Sequence, residues 1–324
     1  MGYTVVFTDH TPAEFDIERS VLDDIDAEII DGEDPDVDLT AAVAEADALI
    51  SSHFRASEEV IATMDACQVI SRTGIGVDYI DLEAATNAGI TVTNVPDYCI
   101  DEVSNHALSM LLALQRYLLP YHELVMDGEW TKDRFPVKRL QHQTLGLVAF
   151  GSIAQSVNQK VQSLGMTVLA YDPYCPDEVI EEAGAIPVDI DTLLHRSDVV
   201  SVHAPLTEET EGLLDAERLR SMKPGSFIIN TARGGLIEQD ALVEVLDEGH
   251  LAGAGLDVFE DEPLANDHPL REQANTILTP HMGYYSIDSI QELRRRSAEN
   301  VRTVLLGDVP EHVVNPDVYT IPQN

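Results

Sequence analysis

Leu145–Pro173, LGLVAFGSIAQSVNQKVQSLGMTVLAYDP, is the stretch whose pattern decides the fold. The apolar run Leu145–Phe150 reads as a strand, and a tight turn follows at Gly151. Ile153–Leu164 repeats apolar residues at helical spacing, and Thr167–Tyr171 is a second apolar strand ending in Asp172. Strand, turn, helix, strand and acid in that order make a βαβ unit, which requires parallel strands. The phosphate-binding fingerprint GxGxxG is filled here by Ala149, Gly151 and Ala154. Gly151 holds the position that must be bare, because there the backbone approaches a pyrophosphate lying at the helix N-terminus. Asp172, 21 residues after Gly151, is placed to accept from both hydroxyls of a ribose. A tight βα turn that binds nothing is the competing reading.

Similar units continue towards the C-terminus at Asp189–Arg196, Val199–Val202 and Asp215–Met222. The next stretch, Lys223–Glu262, reads KPGSFIINTARGGLIEQDALVEVLDEGHLAGAGLDVFEDE. Its strand Ser226–Thr231 delivers Arg233 onto a loop opened by Gly234 and Gly235. A helix stopped by Gly249 follows, and a small-residue strand then ends at Asp257. TPHMG places His281 just past a further strand. Open α/β sheets put their chemistry beyond the carboxyl ends of the strands, so Arg233, Glu262 and His281 form the candidate constellation. Each has a blander alternative: a surface arginine, a solvated acid beside Glu260 and Asp261, a structural histidine. Together with a nicotinamide they suit one reaction. Hydride delivered to a carbonyl needs a proton donor and a cation beside the developing alkoxide. Arginine's planar fork suits a 2-oxo acid's carboxylate and carbonyl. Asp257 is a candidate to bond a carboxamide, with a capping role as its alternative.

Before the deciding stretch, apolar strands and amphipathic helices alternate from Tyr3–Thr8 to Thr91–Asn94, which predicts a second parallel sheet covered on both faces. RTGIGVDYID (Arg72–Asp81) sets glycines after a strand, an anion nest or a plain turn. Asp101–Leu119 reads as one long apolar helix, buried in a core or a subunit interface, and Tyr121–His142 as polar and irregular. Asp288–Leu306 is the last helix. The fold class expected is α/β, with two doubly wound parallel-sheet (Rossmann-like) domains, the first discontinuous and flavodoxin-like. Residues 1–98 and 285–324 are expected to make a substrate domain, and 99–284 a nucleotide domain.

The 324 residues carry 58 acidic against 19 basic side chains, a formal net charge of −39. That excludes polyanion partners such as nucleic acid. The acids are spread through every segment, so a disordered acidic tail does not explain them. A protein adapted to molar salt does, since the Debye length there is only about 3 Å. Lys132, Lys138, Lys160 and Lys223 are the only lysines. Cys67, Cys99 and Cys175 are far apart, which predicts free thiols and neither metal nor disulfide framework. No apolar run reaches membrane-spanning length and the N-terminus lacks a basic n-region, so a cytoplasmic location is expected.

Over essentially its full length the chain resembles the D-isomer-specific 2-hydroxyacid dehydrogenases. The resemblance is carried by SRTGIGVDYID, NVPDY, TLGLVAFGSIAQ, YDP, HAPLTEET, MKPGSFIINTARGGLIEQDALVEVL, AGAGLDVFEDEPL and NTILTPHMG. DEVSNHALSMLLAL and HMGYYS are most similar to the C-terminal binding protein branch. The resemblance implies NAD as cofactor, a split substrate domain, an active site in the cleft and a homodimer around the helix starting near Asp101. By motif match, Arg233 and the Ile75–Gly76 backbone would bind the substrate carboxylate. His281 would be the acid/base and Glu262 its partner. Cofactor contacts are implied for Gly151, Ser152, Ile153 and Asp172, for His203, Pro205 and Thr207, and for Thr231, Ala232 and Arg233. Asp257, His281 and Gly283 would complete them.

Ala149, Ser152 and Ala154 depart from the family pattern at the phosphate turn. Tyr284 stands where eukaryotic C-terminal binding proteins carry tryptophan. The leading expectation is NAD-dependent interconversion of a 2-oxo acid and a D-2-hydroxy acid. A nucleotide-sensing scaffold and a phosphoglycerate- or glyoxylate-type dehydrogenase are the alternatives. Formate oxidation would call for glutamine where Glu262 stands.

Overall fold

The computed structural model describes residues 2–9, 14–273 and 275–320, which form two compact units, 1–98 with 286–324 and 99–285. In the first, strands β1 (Tyr3–Phe7), β2 (Ala27–Asp31), β3 (Ala48–Ser51), β4 (Val69–Arg72) and β5 (Thr91–Thr93) alternate with helices. These are α1 (Asp16–Leu22), α2 (Leu39–Glu45), α3 (Glu58–Ile61) and α4 (Leu82–Asn87). These five strands pair in parallel in the order β2-β1-β3-β4-β5, and an isolated antiparallel bridge joins Thr93 of β5 to Val313. The central strands β3 and β4, and β5 beside them, are buried on both faces, which is why they read as near-continuous apolar runs, whereas the edge strand β2 is half-exposed. Val6, Leu49, Ile70 and Val92 meet Val43, Ile61 and Ala85 on one side. On the other, Val5, Ile50 and Val69 meet Leu22, Val301 and Leu305.

The second unit opens with α5 (Ile100–Gln115) and α6 (Leu118–Met126). It continues β6 (Thr144–Val148), α7 (Ser152–Gln162), β7 (Thr167–Tyr171), α8 (Asp177–Glu182), β8 (Ile186–Pro187), α9 (Ile190–Arg196) and β9 (Val199–Val202). Then come α10 (Ala216–Ser221), β10 (Phe227–Asn230), α11 (Gln239–Asp247), β11 (Gly253–Leu256) and β12 (Thr276–Leu278). Its seven parallel strands run β12-β11-β10-β9-β6-β7-β8, so the strand order reverses beside β6. Met110, Leu114, Val157 and Val161 cover one face with Leu145, Leu147, Phe227 and Ile229. Leu193, Leu219, Leu242 and Val245 cover the other. A Cβ on Gly255 would come within 3.0 Å of the Met110 sulfur, so the small residues of β11 let α5 lie close. The last helix, α12 (Ile287–Leu305), belongs to the first unit and starts in a Ser286–Ser289 capping box.

The expected single helix Asp101–Leu119 is two. Tyr117 takes a left-handed φ of 49°, which ends the hydrogen-bond ladder after Gln115 and starts α6 in a new direction. The Tyr117 ring stacks on Phe135, and this packing compensates the backbone. Tyr121–Met126, expected to be irregular, is therefore helical. Among the described residues no helix is long and apolar enough to cross a membrane.

Candidate active site

The strand ends of the second unit line up the predicted residues along one edge of the sheet. Read across it, they are His281 after β12, Asp257 and Glu262 after β11, Arg233 after β10, His203 after β9, Gly151 after β6 and Asp172 after β7. The reversal of strand order at β6 puts Gly151 at a topological switch point, where open α/β sheets take ligands.

At the β6 end, Gly151 caps α7 without a side-chain bond, and a Cβ built on it would meet no atom within 4 Å. Chain packing therefore does not demand glycine there; room above the helix N-terminus does. Ala154 is fully buried under the turn. Ala149 sits at φ 71°, in the left-handed region that costs a residue with a Cβ about 1 kcal/mol or more. Ser152 is exposed and Ile153 half-buried at the first turn. Asp172 is more committed than its position suggested. One oxygen accepts from Phe150 N–H (2.8 Å), the other from Tyr174 N–H (2.9 Å) and Cys175 N–H (3.1 Å). A carboxylate offers about four acceptor sites, so about one is left for a ribose hydroxyl, not two sets.

In the following loop, burial pushes the His203 pKa down to about 4, so its ring is neutral; it bonds Ser201 Oγ at 2.9 Å. The Pro205 carbonyl and Thr207 are tied to Thr210 Oγ1. The Thr231 hydroxyl is buried without a hydrogen-bond partner among the described residues, and Ala232 N–H donates to Asn230. These features fit a dinucleotide along the edge: an uncapped helix start beside a bare glycine, an acid beyond it, and an orphaned hydroxyl further on.

Arg233 is extended, and its guanidinium donates to its neighbour's carbonyl, Ala232 O, at 2.8 Å. A Cβ on Gly234 would lie 1.9 Å from the Phe259 carbonyl carbon. Only glycine lets the Arg233 loop press against the loop that carries Glu262. Glu262 accepts from Phe259 N–H (3.0 Å) with one oxygen and meets His281 Nδ1 at 2.6 Å with the other. Both side chains are about 30% exposed, so the pair is reachable from solvent.

His281 itself has φ 52°, and its N–H donates to the carbonyls of Asp257 and Thr279. The turn around it is organised by Asp257. This carboxylate, 1% exposed, accepts from Thr279 Oγ1 (2.6 Å), Met282 N–H (2.9 Å) and Gly283 N–H (2.7 Å). Burial alone would raise its pKa, but bonds from His106, Thr279 and the two amides together hold it below the ordinary range. The capping role considered for Asp257 is thus real. A Cβ on Gly283 would come within 2.9 Å of the same carboxylate. The Tyr284 ring stands edge-on to His281, centroids 6.4 Å apart.

Ile75 and Gly76 lie in the first unit, after β4, where Asn94 holds the Ile75 carbonyl at 2.7 Å. Sequence reasoning passed over His106 and Thr279, which bond each other at 2.9 Å across 173 residues. No local pattern marks such a pair.

The family model for the D-isomer specific 2-hydroxyacid dehydrogenase NAD-binding domain matches residues 108–283. The chain is 38% identical over 294 residues to D-3-phosphoglycerate dehydrogenase of Mycobacterium tuberculosis, across 90% of the chain and 55% of the relative. It thus spans about half the length of the phosphoglycerate dehydrogenases it matches. It is 36% identical to glyoxylate reductase of Thermococcus litoralis, across 87% of both chains. D-Lactate dehydrogenase of Aquifex aeolicus, solved with NAD and lactic acid, superposes with a TM-score of 0.87 at 29% identity, covering 96% and 99% of the two chains.

Proposed function

Since the chain belongs to the D-isomer specific 2-hydroxyacid dehydrogenases, we propose that it interconverts a 2-oxo acid and a D-2-hydroxy acid with NAD. The observation that carries this reading is the 2.6 Å pair of His281 Nδ1 and Glu262, on the same sheet edge as Arg233. When bound, NADH supplies the hydride that the carbonyl carbon receives. Arg233 grips the substrate carboxylate with its planar fork. His281 Nε2, aimed by the bond on the opposite nitrogen, gives its proton to the developing alkoxide. Glu262 keeps the ring in orientation and offsets the charge of the imidazolium form. In oxidation the same nitrogen takes the proton back.

Asp172 supports NAD over its 2′-phosphorylated form, because a phosphate would meet a carboxylate with no arginine or lysine among Pro173–Asp177. The names of the relatives support phosphoglycerate, glyoxylate or lactate chemistry on the same machinery. The resemblance of DEVSNHALSMLLAL to C-terminal binding proteins supports only a secondary scaffold role. The net charge of −39 supports a halophilic, cytoplasmic protein. A homodimer is supported by apolar side chains on and after α6, where Leu118 is 61%, Met126 73% and Trp130 92% exposed. Assaying NADH oxidation with a panel of 2-oxo acids in molar KCl, followed by chiral analysis of the product, tests the reading. A folded, NADH-binding protein that reduces none of them would overturn it.

A further inference from the structure

The hydrogen-bonded chain from half-buried His106 through Thr279 to buried Asp257 is unused by the mechanism above. His106, on α5 and 19% exposed, puts Nε2 2.9 Å from Thr279 Oγ1 and 3.5 Å from an Asp257 oxygen. Thr279 Oγ1 is in turn 2.6 Å from that oxygen. A hydroxyl has one proton to give, and an ionised carboxylate has none. Thr279 therefore donates to Asp257, and must accept from His106. The hydrogen on His106 is thus on Nε2, and every bond in the chain points towards Asp257. Asp257 passes this order on through Met282 N–H and Gly283 N–H, while its carbonyl receives His281 N–H. These bonds brace a turn that holds His281 at a φ of 52°, in the left-handed region that costs a residue with a Cβ about 1 kcal/mol or more.

We propose that His106 is a positioning residue for the acid/base histidine, acting from α5 through Thr279 and Asp257 on the 279–283 turn. This rests on the dehydrogenase reading for its kinetic consequence, but not for its structural one. His106→Ala removes the donor; His106→Gln keeps an N–H in nearly the same place. Two readouts separate the failures. Amide hydrogen exchange needs no turnover: in His106→Ala, Met282 and Gly283 should exchange about five- to ten-fold faster, the effect of one lost hydrogen bond, while β6 amides keep their protection. Turnover should fall about ten-fold or more through displacement of His281, with a smaller rise in NADH Kd because Asp257 and Gly283 are expected cofactor contacts, and His106→Gln should restore most of the exchange protection and turnover. Unchanged exchange at 282–283 overturns the proposal, as does exchange that rises equally throughout the second unit or a glutamine variant no better than alanine. If exchange behaves as expected but the wild type reduces no 2-oxo acid, the positioning stands and the proposed reaction fails.

Discussion

Replacing Glu262 by glutamine isolates the contribution of its charge. One carboxylate oxygen accepts from Phe259 N–H at 3.0 Å and the other meets His281 Nδ1 at 2.6 Å. Glutamine offers one carbonyl oxygen for two donors. Either the Phe259 bond or the histidine bond survives, and the latter loses its charge assistance. A hydrogen bond to a charged partner contributes about 1.5–3 kcal/mol, and about 1.4 kcal/mol is a factor of ten in rate. In the proposed reaction the imidazolium form of His281 arises when the ring takes the substrate's proton, so the loss should fall on the proton-transfer step. The expected result is a kcat lower by about 10- to 100-fold, with NADH binding within about twofold of wild type. Asp261→Asn removes the same charge one residue away and should leave kcat nearly unchanged. Steady-state kinetics of both variants at saturating cofactor, with cofactor affinity measured by fluorescence, gives the answer. Equal kcat for the two variants would reduce Glu262 to surface charge and refute the reasoning.

Cofactor choice should favour NADH over NADPH in kcat/KM, and Asp172→Ala should narrow the gap. Because Asp172 also holds three backbone amides, both cofactors should bind that variant less well; a wild-type preference for NADPH would remove Asp172 from the ribose. Dilution from molar KCl to about 0.1 M lengthens screening from about 3 to about 10 Å, so at a net charge of −39 the melting temperature and activity should fall; salt-independent melting contradicts the halophile proposal. His203 has a folded pKa near 4 against an ordinary 6.5. Between those values the unfolded chain binds a proton that the folded one refuses, so stability is full above about pH 6.5 and falls by up to roughly 3 kcal/mol as pH drops towards 4. His203→Asn should flatten that part of the pH–melting curve, and an unaltered slope would exclude the residue as its source. Gly234→Ala should cost more stability than Gly249→Ala, whose Cβ meets nothing within 4 Å and whose cost is that of the left-handed φ of 68° alone; chemical denaturation ranks them, and the reverse order would count against the close loop contact.

What could be read before folding was whatever the local pattern encodes. Strands such as Val199–Val202 and Phe227–Asn230 are buried on both faces and announce themselves as apolar runs. Gly151 and the acid beyond it are fixed by chain spacing within one βαβ unit. Arg233, Glu262 and His281 were legible because each follows a strand. The break at Tyr117 was not, since a left-handed tyrosine leaves no glycine or proline to mark it and is stabilised by stacking on Phe135. Nor was the left-handed His281, whose strain is borne by a carboxylate just past the end of another strand. The commitment of Asp172 to three amides depends on how the turn closes, and the His106–Thr279 bond joins residues that only the fold brings together.

The central claim is that His281 moves the proton when NADH reduces a 2-oxo acid. The most direct test is NADH consumption with the best 2-oxo acid, comparing wild type and His281→Ala at equal cofactor occupancy. A positioned acid/base contributes about 10²–10⁴-fold, so turnover should drop by that factor while the NADH Kd stays within about twofold. Wild-type turnover from His281→Ala, with cofactor bound, would contradict it.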